Sequence, residues 1–219
     1  MITRLILVRH GETGWSAEGR WQGITDVPLS ARGREQARAL ASRLAGDEIG
    51  SVYSSDLARA WETATLVAAP HSARPRPEPR LREVAFGRWE GLTEAQVRQR
   101  YPEEHARWQA DPMSTAPDGG ETLAQVATRM GCLHDDLVAR HRGETVLLVA
   151  HGMALRVLVC VTLGLDPCVR LRFRMDVASV SEIALSPEGA VLTLFNDRHH
   201  LAREQPPLPP LQRWGPPTS

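Results

Sequence analysis

Two apolar segments of this chain lead into the same dipeptide, His-Gly, and they constrain its fold more than any other feature. Residues 5–8 precede Arg9 and His10, and residues 146–150 precede His151, with a glycine after each histidine. Short continuous apolar runs are typical of strands that are buried on both faces of a parallel sheet. Because the ligands of such sheets bind beyond the carboxyl ends of the strands, we expect both histidines to face one crevice.

The segments around these two strands alternate between strand and helix patterns, which predicts an α/β fold. Ser30 stands in an N-cap position before the first helical pattern, and Pro70 follows the second. Helices are expected at residues 31–46, 57–69, 123–138 and 153–163, and further strands at residues 52–53, 180–185 and 191–195. The last two strands are separated by a turn with Pro and Gly, so we expect them to form an antiparallel edge of the sheet.

The length of 219 residues fits one compact domain, which we place at residues 1–204. Periodicity weakens between residues 84 and 120, where aromatic residues and prolines stand among charged ones. We interpret this stretch as a cap that covers a site, with its tryptophans expected to pack rather than to bind a ligand. Residues 205–219 are rich in proline, and we expect a flexible tail or a polyproline conformation.

The composition argues against several classes of partner. Basic and acidic residues number 26 each, so the formal net charge is zero and long-range attraction to nucleic acid is not expected. The three cysteines have no CxxC spacing, which predicts neither a disulfide framework nor a zinc site. No apolar run reaches membrane-spanning length, and the first residues do not resemble a secretion signal. We therefore expect a cytoplasmic protein that does not bind membranes.

The residues around the first His-Gly pair suit phosphoryl transfer. A neutral imidazole of His10 can attack phosphorus while Arg9 neutralises the phosphoryl oxygens. Such a reaction needs further cations and donors at the same place. Arg59, near the start of a predicted helix, and His151, after the other strand, are candidates, and Glu83 can serve as a general acid.

The order of these motifs resembles the histidine phosphatase superfamily, in its phosphoglycerate-mutase-like branch. The resemblance covers about residues 3–201, and the ordered set is specific although each piece alone is not. The residues that carry it are Arg9-His10-Gly11, Ser54-Ser55, Arg59-Ala60, Thr63-Ala64, Glu83, Phe86-Gly87-Arg88-Trp89-Glu90-Gly91, Gly119-Gly120-Glu121-Thr122 and Ala150-His151-Gly152.

The resemblance implies a three-layer α/β/α fold with a mostly parallel central sheet, and a two-step phosphoryl transfer. By analogy, His10 is the nucleophile and Glu83 protonates the leaving oxygen before it activates water, while Arg9, Arg59 and His151 hold the phosphoryl group. Further contacts to substrate are implied for Thr13, Ser16, Gln22 and Gly152. No metal or organic cofactor is implied, and a homodimer is plausible by analogy only.

Two positions depart from the family pattern. Ser16 and Val177 stand where relatives commonly have asparagine, which puts the fine positioning of the substrate in doubt. Arg156, one turn into the helix after His151, is expected to make a structural ion pair rather than a substrate contact.

Other interpretations of the same residues stay open. The two histidines could be satisfied core residues, Arg59 an exposed helix residue and Glu83 a solvated loop acid. At the level of function, we expect a metal-independent phosphomonoesterase that hydrolyses a small phosphorylated metabolite through a phosphohistidine. A phosphomutase of the same fold and a non-catalytic phosphate-binding scaffold are the alternatives. The sequence leaves the substrate open, because selectivity is expected from the variable cap.

Overall fold

The computed structural model describes residues 1–201. It contains one six-stranded sheet. The strands are β1 (Thr3–Arg9), β2 (Ser51–Ser54), β3 (Pro75–Pro77), β4 (Thr145–Ala150), β5 (Val180–Ser186) and β6 (Gly189–Asp197). Their order in the sheet is β3-β2-β4-β1-β5-β6. The first four strands in this order are mutually parallel, β5 pairs antiparallel with β1, and β6 pairs antiparallel with β5. The predicted α/β class and the antiparallel edge are confirmed.

Helices cover both faces of this sheet. They are α1 (Gly14–Ala17), α2 (Ala31–Leu44), α3 (Ala58–Ala68), α4 (Glu94–Arg100), α5 (Pro102–Ala110), α6 (Leu123–Arg140) and α7 (Gly152–Thr162). The Ser30 hydroxyl accepts a hydrogen bond of 3.0 Å from Gly33 N, so α2 begins at the predicted N-cap. Within the residues described, no helix is long and apolar enough to cross a membrane.

Two apolar cores, one on each face of the sheet, confirm the three-layer architecture. Alternate residues of β1 enter different cores, because successive side chains of a strand point to opposite faces. Leu5 and Leu7 pack with residues of α6 and α7, whereas Ile6 and Val8 pack with residues of α2 and α3. The strand is buried on both sides, as its continuous apolar run predicted.

The strands β1 and β4 are direct neighbours, and this pairing brings the two His-Gly segments together. Arg9 is paired with Ala150 in the parallel register, and His10 N donates a hydrogen bond of 2.9 Å to Ala150 O. Both histidines therefore lie at the carboxyl ends of two neighbouring central strands.

The first loop after β1 packs tightly against the start of α2. A Cβ on Gly33 would lie 2.1 Å from the backbone oxygen of Glu12, and one on Gly11 would lie 2.4 Å from Gly33 O. Only glycine allows two backbones to approach so closely. The contact fixes the loop that carries the first histidine.

The stretch in which periodicity weakens contains α4 and α5, two short helices that the sequence did not predict. Its tryptophans pack as expected, because Trp89 is fully buried and its ring centroid lies 5.4 Å from that of Trp108. The indole nitrogen of Trp89 donates a hydrogen bond of 2.6 Å to Glu104. The assignment of this stretch as a cap stays a prediction, and the expected tail, residues 205–219, lies outside the described residues.

Candidate active site

His10 lies at the end of β1 in a fully enclosed position, with 1% of its surface exposed. Its Nδ1 lies 2.7 Å from Gly11 O, and because a carbonyl only accepts, Nδ1 carries the proton. Burial, and then the positive charges of Arg59 and Arg9, hold the pKa of His10 well below its ordinary value. The ring is therefore neutral, and its Nε2 holds a free lone pair.

His151 faces the first histidine across the two neighbouring strand ends. The ring centroids of His10 and His151 lie 5.1 Å apart. The Nε of Arg59 donates to His151 Nδ1 at 3.2 Å, so the proton of the neutral ring is on Nε2, which lies 2.8 Å from the Ser55 hydroxyl. Burial, followed by the charges of Arg59 and His10, keeps the pKa of His151 well below its ordinary value.

Arg59 is buried at the start of α3 and is held by the loop between α1 and α2. Its two terminal nitrogens donate to Thr25 O at 2.8 Å and to Gly23 O at 2.6 Å. Burial lowers the pKa of this arginine, and the nearby carboxylate of Glu83 opposes that shift. The alternative of an exposed helix residue is excluded for Arg59.

Arg9 approaches the start of α7 closely. It donates to Met175 O at 2.6 Å, while its buried Nε has no hydrogen-bond partner among residues 1–201. A Cβ on Gly152 would lie 3.2 Å from the guanidinium carbon of Arg9, which is tighter than ordinary contact. Gly152 thus leaves room for the guanidinium beside the backbone. Burial is the main cause that lowers the pKa of Arg9, and Glu83 opposes it.

Glu83 is oriented by three backbone N–H groups. Its Oε1 accepts hydrogen bonds of 3.0 Å from Val84 N and from Ala154 N, and its Oε2 accepts one of 3.2 Å from Met153 N. Two of these donors belong to the first turn of α7, where the helix dipole favours an anion. The carboxylate is therefore fixed at the same helix end that Arg9 contacts.

Arg129 holds the segment that carries Glu83, a role that sequence reasoning missed. It donates to the backbone oxygens of Arg82, at 2.8 Å, and Glu83, at 3.3 Å, from the middle of α6. Glu121 pairs with Arg129 at 3.1 Å and accepts from Ala85 N at 3.0 Å. The resemblance had singled out Glu121, but nothing in the sequence linked Arg129 to the site.

Thr13, Ser16 and Gln22, the predicted substrate contacts after the first histidine, have different surroundings in the structure. Thr13 and Ser16 form a capping box at the start of α1, so their side chains already bond each other's backbone. The Thr13 hydroxyl also donates to the side-chain oxygen of Gln22 at 2.7 Å. This bond directs the amide of Gln22, which borders the cavity described next. The substrate contacts expected of all three stay a prediction.

A cavity of about 280 Å³ opens at this end of the sheet. Its walls include Arg9, Gln22, Glu83, Phe86, Gly152 and Arg156. The volume suits a small molecule, and the walls carry both cationic and apolar groups. Within residues 1–201 there is no group of three or more His, Cys, Asp or Glu side chains that could hold a metal ion.

The sequence predicted a structural ion pair for Arg156, and the part of the chain that the structure describes does not supply one. Among the described residues, Arg156 makes no ion pair or hydrogen bond, and its buried Nε has no partner. Its guanidinium borders the cavity instead. Burial, and then the charge of Arg9, lowers its pKa to about 10.

Known proteins share both this sequence pattern and this fold. Residues 5–198 match the histidine phosphatase superfamily, branch 1. The chain is 36% identical to phosphoserine phosphatase 1 of Hydrogenobacter thermophilus over 200 residues, which cover 91% of this chain and 95% of that protein. It is also 34% identical over 221 residues to a protein of Yersinia enterocolitica named probable phosphoglycerate mutase, with 97% of this chain and 100% of the relative covered.

A solved structure gives the same result at the level of the fold. The α-ribazole phosphatase from Shigella flexneri superposes with a TM-score of 0.82 at 30% identity, over 89% of this chain and 96% of that one. The residues to which the resemblance assigned catalytic roles lie together at the carboxyl ends of β1 and β4. They are Arg9, His10, Arg59, Glu83 and His151. The chain belongs to branch 1 of the histidine phosphatase superfamily, and it is a phosphoric monoester hydrolase.

Proposed function

We propose that the protein is a metal-independent phosphomonoesterase that hydrolyses a small phosphorylated metabolite through a phosphohistidine at His10. The observation that carries this proposal is the hydrogen bond of 2.7 Å between His10 Nδ1 and Gly11 O, which leaves Nε2 as the unprotonated nitrogen of a neutral ring. Burial and two nearby arginines, which hold the pKa of His10 below its ordinary value, favour that neutral ring. Such a nitrogen is a competent nucleophile. Two fixed guanidinium groups beside it supply the positive charge that a phosphoryl group needs.

In the first step, Nε2 of His10 forms a bond to phosphorus while the ester P–O bond breaks. Glu83, in its protonated form, gives its proton to the departing alkoxide, so that the alcohol leaves neutral. The imidazole becomes cationic, and its Nδ1–H bond to Gly11 O then becomes charge-assisted and stronger. In the second step, water attacks phosphorus, Glu83 takes a proton from it, and the P–N bond breaks to release phosphate.

Arg9, Arg59 and His151 hold the transferring phosphoryl group in this scheme. The charge of the group lies on its three non-bridging oxygens, so positioned donors contribute most of the catalysis. Arg59 is fixed by two backbone carbonyls, and Arg9 by one together with its contact to Gly152. Because these donors are in place before substrate binds, little reorganisation is needed during the reaction.

The substrate is proposed to be a small phosphomonoester, because the cavity is small. The relatives suggest a first panel of phosphoserine, α-ribazole phosphate and phosphoglycerate. Rates should be compared as kcat/KM, since a promiscuous hydrolase can act slowly on many esters.

The deciding experiment replaces His10 with alanine and measures phosphate release from this panel and from p-nitrophenyl phosphate. We expect activity to be lost and an acid-labile phosphoryl adduct, present in the wild type after rapid quenching, to disappear. His199→Ala, at an exposed histidine, is the matched control and should keep both signals. Unchanged turnover by the His10 variant would refute the proposal.

A phosphomutase is the second candidate, because one relative is named a probable phosphoglycerate mutase. Incubation with 3-phosphoglycerate and a bisphosphoglycerate primer separates the two functions. Hydrolysis predicts release of inorganic phosphate. Rapid isomerisation without phosphate release would establish the mutase instead, and the absence of both reactions together with tight binding of a protein partner would favour a scaffold.

A further inference from the structure

Arg156 is a cation in the cavity wall that the proposed reaction does not use. It lies on α7, four residues after Gly152, and it borders the cavity together with Arg9 and Glu83. At 1.5 Å of rise per residue, its Cα is about 6 Å further along the helix axis than that of Gly152. Arg156 therefore lies about one helical turn beyond Gly152, the residue that Arg9 contacts in the proposed phosphoryl site.

The guanidinium of Arg156 lacks a counter-ion within residues 1–201. Its Nε is buried without a hydrogen-bond partner. Two carboxylates act on it, those of Glu83 and Asp176, but neither forms an ion pair with it. The oxygens of Glu83 already accept three backbone hydrogen bonds, and Asp176 pairs with Arg174 at 2.9 Å. A largely buried charge without a partner costs free energy. A ligand that supplied the missing negative charge would recover that cost.

The other charged groups of the cavity wall have partners. Arg20 donates to Glu18 at 2.6 Å and to Gly91 O at 2.7 Å. Glu94 accepts from His105 at 2.6 Å, and it adds negative charge to the same wall. One free guanidinium beside a carboxylate suits a single negative charge better than a second phosphate dianion. A planar carboxylate matches the fork of an arginine in a bidentate pair.

We propose that Arg156 determines specificity by binding a carboxylate of the substrate, so that the preferred substrates are phosphomonoesters that also carry a carboxylate group. This inference rests on the proposed phosphatase function and names its substrate class. Phosphate enters the site of Arg9, Arg59 and His10, and the carboxylate lies one helical turn along α7. Esters that lack the carboxylate leave Arg156 unpaired and are hydrolysed less efficiently.

The test uses two matched pairs of substrates that differ in the carboxylate. O-phosphoserine is compared with O-phosphoethanolamine, and 3-phosphoglycerate with glycerol 3-phosphate. The first pair carries an ammonium group and the second does not, so a shared effect is due to the carboxylate. We expect the wild type to prefer the carboxylated member of at least one pair by about 10- to 100-fold in kcat/KM, the range of a hydrogen bond to a charged group.

The variants Arg156→Gln and Arg156→Lys assign this preference to the residue. Arg156→Gln should lower kcat/KM for the carboxylated substrates by about 10- to 100-fold, mainly through KM, and change the other members by less than about threefold. Arg156→Lys keeps the charge without the fork and should recover part of the loss. Arg98→Gln, at an exposed position of α4, is the control and should behave as the wild type.

Inhibition by inorganic phosphate checks that the phosphoryl site of the variants is intact. The inhibition constant should be the same for wild type and Arg156→Gln, because phosphate lacks the carboxylate. Weaker inhibition in the variant, or an equal loss for both members of each pair, would overturn the inference, since Arg156 would then contact the phosphoryl group or only maintain the fold. A wild type without preference in either pair would also overturn it, while leaving the phosphohistidine reaction standing.

Discussion

The Nε of Arg59 donates a hydrogen bond of 3.2 Å to Nδ1 of His151, and this bond determines which nitrogen of the histidine carries a proton. The same arginine binds the backbone oxygens of Gly23 and Thr25. One side chain thus joins the end of β4 to the loop between α1 and α2. It orients His151 and places a positive charge beside His10.

Arg59→Lys should therefore remove more than one donor. A lysine keeps the charge, but its single nitrogen cannot replace bonds to two carbonyls and a ring. We expect kcat for p-nitrophenyl phosphate to fall by about 10²- to 10³-fold, the range found when one preorganised donor is removed. Steady-state kinetics measures this change. Arg38→Lys, on the exposed side of α2, is the control, and a similar loss there would contradict the assignment.

Glu83→Gln should affect substrates according to their leaving group. The amide cannot protonate an alkoxide, whereas p-nitrophenolate leaves without help. We expect kcat/KM for an alkyl phosphate to fall by about 10²- to 10⁴-fold and that for p-nitrophenyl phosphate to fall much less in the first step. A series of esters with leaving groups of different pKa tests this, as the dependence on leaving-group pKa should become steeper. Equal losses along the series would argue against an acid role.

Gly152→Ala tests the close contact between the second His-Gly segment and Arg9. The new Cβ would lie 3.2 Å from the guanidinium carbon, so Arg9 has to move by a few tenths of an ångström. Because phosphoryl transfer depends on donor position, we expect kcat to fall by about tenfold. The free energy of unfolding should change little, since the displaced group borders a cavity.

Gly131→Ala is the matched control for that substitution. Gly131 lies within α6, and a Cβ there meets no atom within 4 Å. Alanine at a helix interior is favoured over glycine by about 0.5–1 kcal/mol, so this variant should be slightly more stable and fully active. Thermal unfolding and kcat measured on both variants separate the effect of the Arg9 contact from that of an added methyl group. A loss of activity at Gly131 would contradict this explanation.

The sequence predicted that His10 and His151 would lie together, because that placement depends on strand ends. Apolar runs identify the buried strands, and the parallel pairing of Arg9 with Ala150 then places His10 beside His151 without further information. Ser30 likewise identified the start of α2 through local hydrogen-bond chemistry. These features depend on residues that are close in sequence or on one general property of parallel sheets.

The groups around that centre were less predictable, because they depend on contacts between distant segments. Arg129 reaches the backbone of Glu83 from 46 residues away. No periodicity or motif indicates that contact. Arg156 could be placed on α7, but whether an acidic residue faces it depends on how other segments pack, and residues 1–201 supply no such partner. The helices α4 and α5 were missed because each is short and only Tyr101 separates them.

The two buried histidines also make stability depend on pH. In the folded protein both have a pKa well below the ordinary value, mainly through burial. In the unfolded chain the pKa of each histidine is about 6.5. As pH falls below that value, the unfolded state takes up protons that the folded state does not. The free energy of unfolding is therefore fully maintained above about pH 6.5 and decreases as pH falls, by up to about 1.4 kcal/mol per pH unit for each histidine.

Denaturant titrations between pH 7.5 and 5.5 would measure how steeply the free energy of unfolding changes with pH. His10→Gln should reduce this slope by up to about 1.4 kcal/mol per pH unit, the contribution of one proton. His200, whose pKa burial lowers to about 4, adds to the slope of both proteins and does not affect the difference. His199→Gln, at an exposed histidine, should retain the wild-type slope. If His10→Gln also retained it, His10 would take up its proton equally in the folded and unfolded states. The neutral nucleophile on which the phosphohistidine depends would then lose its support, because a protonated ring has no lone pair with which to attack phosphorus.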